Sequence, residues 1–86
     1  MYVHATGTIP ELDKAQPYLP EESRVLGELQ AEGIVKNLFR LSERPGVVYL
    51  IVEADDVAEA RRQVGRLPLV SLGLLTFEFE PVEKLL

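Results

Sequence analysis

Four stretches of the chain carry the pattern of strands, and two others repeat at helical spacing between them. From Tyr2 to Ile9, small or apolar residues (Val3, Ala5, Gly7, Ile9) alternate with larger polar ones (Tyr2, His4, Thr6, Thr8), the period of two expected of a strand with unlike faces. Pro10 ends it, having no N–H to give a ladder. Any helical turn between Pro10 and Pro20 must break before the second proline. From Pro20 onward Glu21 and Glu22 suit the positive end of a helix dipole, and Val25, Leu26 and Leu29 form an apolar stripe that runs to a left-handed cap at Gly33. Ile34 to Leu41 reads as a second strand. Ser42 to Gly46 is a turn cluster leading to Val47–Glu53, which is apolar on both faces, as a central strand would be. Asp56 and Glu59 have capping-box spacing, and Val57, Ala60, Val64 and Leu67 continue a helix until Pro68. From Leu74 to Val82, Leu75, Phe77 and Phe79 alternate with Thr76, Glu78 and Glu80.

The order strand, helix, strand, strand, helix, strand predicts an α+β fold: a ferredoxin-like βαββαβ antiparallel sheet with two helices on one face, in a single domain spanning residues 1–86. A sheet so covered needs something on its second face. That face would present Tyr2, His4, Thr6, Tyr49 and Ile51 beside Thr76 and Glu78. So mixed a surface suits a partly enclosed cavity or a subunit interface better than open water.

Composition narrows the function. At 86 residues, the chain can bury only roughly 60–65% of its unfolded surface, so a second copy is a natural way to enlarge the core. A homodimer or higher homo-oligomer is expected. With no cysteine there is no disulfide framework, thiolate metal site or cysteine nucleophile, and a reducing cytoplasm is the default location. One histidine leaves no His-rich metal cluster. Fourteen acidic against nine basic residues give a formal charge of −5, which argues against nucleic acid, whose binding needs a cationic face. No apolar run is long enough to cross a membrane, and Met1-Tyr2-Val3-His4 does not open a signal peptide. Eleven Glu and six Arg set against one Asn, three Gln and one Met lean toward a heat-adapted source.

Glu28-Leu29-Gln30-Ala31-Glu32-Gly33, then Arg40, Val52-Glu53-Ala54, Leu67-Pro68-Leu69 and Glu80-Pro81-Val82 follow one another at spacings that resemble muconolactone Δ-isomerase and its relatives. The likeness covers roughly residues 22 to 82, with a weaker match of the first strand around His4. It implies a dimeric α+β barrel in which two sheets pair. It further implies an isomerase that moves a carbon–carbon double bond within an unsaturated lactone, without metal or organic cofactor. Such chemistry needs a base beside a carbonyl-conjugated system, a group to hold the dienolate oxygen, and an acid to return the proton.

Four residues match positions that could serve. His4 has the side-chain pKa best suited to proton shuttling near neutrality, and an interface histidine is the competing reading. Glu22 could act as a base if buried, because desolvation raises a carboxyl pKa; otherwise it is an acidic residue in a first turn. Arg40 and Lys36, placed on one strand face by alternation, could polarise a carbonyl or grip a carboxylate, or form an intersubunit salt bridge. The chain departs from the family pattern at Thr6 and Thr8, where polar or charged residues are expected, and at Leu19, where a basic residue is expected. Leu67-Pro68-Leu69 reads as a turn that fills core. Two functions follow: a cofactor-independent isomerase acting on a small anionic or lactone metabolite, with His4 and Arg40 lining a shared pocket between sheet and partner subunit, or a non-catalytic module that binds a small ligand or serves only assembly.

Overall fold

A computed structural model describes all 86 residues. Its four strands are β1 (Tyr2–Thr8), β2 (Val35–Arg40), β3 (Val47–Glu53) and β4 (Thr76–Val82), in the sheet order β2-β3-β1-β4, all antiparallel. The helices are α1 (Leu12–Ala15), α2 (Leu19–Ala31), α3 (Val57–Val64) and α4 (Pro68–Ser71), with a 3₁₀ turn at Gln16–Tyr18. This is the expected ferredoxin-like α+β arrangement, with the helices on one face of the sheet.

Alternation decides which side chains meet the helices. Val3 and Ala5 of β1 are fully buried, as are Leu50 and Val52 of β3. They pack with Val25 and Leu29 of α2 and with Ala60 and Val64 of α3. Gly7 continues the inward row, and a Cβ there would lie 2.5 Å from the Phe77 ring; the glycine is what lets Phe77 lie across β1. The outward row is the mixed face expected above: His4 pairs with Ile51 and Glu80, and Thr6 with Tyr49 and Glu78. No helix covers it: Lys84 reaches over the Tyr2 ring at one end, and Phe39 is 60% exposed there.

Helix α2 ends as its sequence indicates. Gly33 sits at φ +79°, and two hydrogen bonds close a Schellman motif, Gly33 N–H to the Gln30 carbonyl (3.0 Å) and Ile34 N–H to the Leu29 carbonyl (2.9 Å). At the start of α3, Asp56 accepts from the Glu59 N–H at 2.7 Å, but the reciprocal half of the capping box is not made. The Glu59 carboxylate instead accepts from Gln63 Nε2 at 2.8 Å and pairs with Arg62.

Two elements differ from the sequence reading. The helical spacing extends to Leu67, yet α3 stops at Val64 with Gly65 as its cap, and Leu67 is in extended backbone. Leu67 is still core, carried there by the linker. Pro68 starts a helix as well as ending a pattern, because its fixed φ and missing N–H suit a first helical position. In β2 the pairing slips between Val35, opposite Val52, and Asn37, opposite Ile51. Lys36 is the extra residue of this bulge.

Both sheet edges are interrupted. The bulge breaks the outer strand β2, and β4, the other outer strand, contains Pro81 opposite Val3.

Candidate functional site

On α2 the buried positions are Glu22, Val25 and Leu29, one stripe at helical spacing. The period that makes Val25 and Leu29 core also carries a carboxylate inward. Glu22 is only 6% exposed. Its Oε1 accepts a 2.9 Å hydrogen bond from the backbone N–H of Leu69. No fully buried side-chain oxygen in the molecule lacks a partner, so Oε2, which makes no bond, reaches open space.

That space is a cavity of about 450 Å³ between the helices and the sheet, lined by seventeen residues of which twelve are hydrophobic. Val48, Leu50 and Phe77 form its sheet side, Leu67 and Leu69 close one flank, and Leu12, Leu19 and Leu38 surround the opening. Those last three side chains are exposed, Leu38 at 48%. Burial pushes the Glu22 carboxyl above its ordinary value, and the Leu69 N–H partly offsets this.

Arg40 lies on the same cavity wall. Opposite Val48, it is in the row of β2 that faces the helices. It has no carboxylate within ion-pairing distance. The cavity therefore joins a buried acid with one free oxygen to an uncommitted guanidinium that is itself exposed to solvent, an arrangement able to bind an organic anion and exchange a proton with it.

The four residues singled out from the sequence do not converge. Glu22 and Arg40 share the cavity. His4 is on the opposite face of the sheet, its ring 5.4 Å from that of Tyr49, so His4 and Arg40 do not line a common pocket within one chain. Lys36 does not share a strand face with Arg40: the bulge interrupts the alternation, and Lys36 Nζ lies 3.9 Å from the Glu53 carboxylate. The cavity holding Glu22 and Arg40 lies on the helix side of the sheet, inside one chain, while a second hollow of about 380 Å³ lies on the other face against Tyr2, Asn37 and Ile51.

The sequence reading did not find the Leu69 N–H. A backbone donor has no residue signature, and it is 47 residues from its acceptor. The opening formed by Leu12, Leu19 and Leu38 was also missed, since α1 and the 3₁₀ turn are too short to show periodicity.

No protein-family model matches the chain, and no curated protein does. Solved structures do. The chain is similar to the 5-chloro-2-hydroxyhydroquinone dehydrochlorinase of Burkholderia phenoliruptrix AC1100, in complex with 2,5-dihydroxybenzoquinone, with a TM-score of 0.79 and 16% identity over 96% of this chain and 94% of that one. It is also similar to a protein described as an antibiotic biosynthesis monooxygenase, with a TM-score of 0.63 and 14% identity over 98% of this chain and 100% of the other. At such identities the likeness shows the shared α+β fold. Neither neighbour bears the name muconolactone isomerase. No helix is long and apolar enough to cross a membrane.

Proposed function

We propose that the chain is a small-molecule enzyme of the dimeric α+β barrel type, catalysing a cofactor-independent proton shift within a small, anionic, unsaturated lactone or acid. The observation that carries this reading is the buried Glu22 carboxyl, raised by burial, with one oxygen free in an apolar cavity that also holds Arg40. Both structural neighbours are named as enzymes, which supports small-molecule chemistry on this fold.

In the proposed reaction, ionised Glu22 takes a proton from the carbon next to the conjugated carbonyl. The C–H electron pair passes into the conjugated system and onto the carbonyl oxygen, giving a dienolate whose charge the Arg40 guanidinium holds. Protonated Glu22 then returns the proton at the far carbon, and the double bond has moved. The Leu69 N–H fixes the carboxyl so that the same oxygen performs both transfers. His4 and Lys36, outside the cavity, are assigned no part in this step; His4 belongs with the face proposed to meet a second copy.

A non-catalytic ligand-binding or assembly module of the same fold is the second reading. The Glu22–Leu69 bond favours it, because it gives the carboxylate a purely structural task. Muconolactone absorbance in the ultraviolet separates the two: the enzyme reading expects turnover by the purified protein, slowed by about 10²-fold or more in Glu22→Gln. No turnover above buffer sinks the isomerase.

A further inference from the structure

The walls of the cavity carry two charged groups and no others. The exit of β1, strands β3 and β4, α1, the linker before α4 and α4 itself contribute apolar side chains to it, and Gln16 and Ser23 are neutral. The charged residues beside Glu22 on α2 are spent on one another, Arg24 with Glu21 and Glu28. Glu22 is therefore the one buried ionisable group of the cavity, and the exposed Arg40 guanidinium is the only other charge on its walls.

With Glu22 ionised, the pair is neutral, and an anion entering beside Oε2 meets a like charge in a poorly solvated space. With Glu22 protonated, the exposed Arg40 guanidinium is the one charge the anion meets on the cavity walls, and the acid offers an O–H donor where the anion arrives. The second state is the better host, because like charges at close range in low dielectric cannot both persist.

We infer that this cavity is a proton-coupled anion site, taking up one proton at Glu22 as it binds a small organic carboxylate or phenolate. The inference rests on the reading of Glu22 and Arg40 as the working groups of the cavity, but it does not require turnover, which would proceed only through the minor form of the complex in which Glu22 has lost that proton. It also defines the ligand class: an apolar ring or short chain to occupy the leucine shell, ending in an ionised oxygen.

Benzoate is a suitable probe, since it is already ionised from about pH 6 to about pH 8 and any proton taken up must come to the protein. Calorimetric titration in buffers of different ionisation enthalpy is expected to show proton uptake, with the dissociation constant rising by up to about tenfold per pH unit. In Glu22→Gln the amide N–H replaces the acid O–H. Binding should then be independent of pH, at least as tight as the wild type at its low-pH limit, and free of proton uptake. Arg40→Gln should weaken binding by about tenfold or more.

Wild-type binding without proton uptake, uptake that persists in Glu22→Gln, or no binding of benzoate by the wild type would each overturn the inference. The wild-type measurement stands even if Glu22→Gln fails to fold. Proton uptake without muconolactone turnover keeps this inference and removes the isomerase; turnover without uptake does the reverse.

Discussion

Glu22 and Leu69 meet across 47 residues of sequence, the carboxylate Oε1 accepting from the backbone N–H at 2.9 Å. Leu69 is the second residue of α4, and the residue preceding that helix, Leu67, offers no side-chain cap. A carboxylate from α2 therefore satisfies one of the amides that the start of α4 leaves open. The same bond fixes which oxygen of Glu22 remains free in the cavity.

Truncating that carboxylate should cost more than neutralising it. Glu22→Ala leaves a buried N–H without a partner and is expected to lower stability by about 1–3 kcal/mol, whereas Glu22→Gln keeps an acceptor and should cost less. Urea denaturation measures both. Because the folded-state pKa of Glu22 is raised from 4.5, the stability it contributes is fully present below that value and is lost as pH rises through the folded pKa. Glu22→Gln should therefore gain on the wild type as pH rises through that window. Equal pH profiles for the two proteins would contradict the raised value.

Two glycines of the α2 region should respond to alanine in opposite directions. Gly27 lies inside α2 with nothing within 4 Å of an added Cβ, so Gly27→Ala should stabilise by about 0.5–1 kcal/mol. Gly33 also has room, with only Lys36 Nζ at 3.8 Å, but its φ is +79°. Gly33→Ala should destabilise by about 1–2 kcal/mol through backbone strain alone. Thermal melts of the two variants against the wild type test the contrast.

Gly7→Ala tests packing instead of backbone. The new Cβ would fall 2.5 Å from Phe77 Cε1 and 2.9 Å from Leu75 Cδ1, and shifting a half-buried ring should cost about 1–3 kcal/mol. Phe77→Leu in the same chain should recover part of that loss. A double-mutant cycle with no coupling would show that the ring and the glycine do not meet.

The uncovered sheet face leads to an expectation about mass. Light scattering should report at least twice the 9.6 kDa of one chain, and Tyr49→Glu, beside His4 on that face, should shift the population toward the single chain. A monomeric wild type would leave His4, Tyr49 and Phe39 to solvent and remove the proposed pairing of sheets.

How legible these features were depended on whether local pattern determined them. The alternation in β1 and β4 assigned both sheet faces correctly, and Gly33 marked its own cap. Lys36 and Arg40 could not be separated by counting, because a bulge inserts one residue and reverses every later side chain with respect to the earlier ones. Glu22 was visible through resemblance, and its position three residues before Val25 also places it inward. That one oxygen would be held and the other left free depends on α4, a four-residue helix with no periodic signal.

The interrupted strands at either margin of the sheet have a consequence for the protein when it is concentrated. A bulge at Lys36 and a proline at position 81 deny a newcomer the unbroken row of amides and carbonyls that fibril growth requires. A second copy is expected instead on the sheet face that the helices leave open, where association would close after one addition, and crowded solutions should yield discrete particles rather than ribbons.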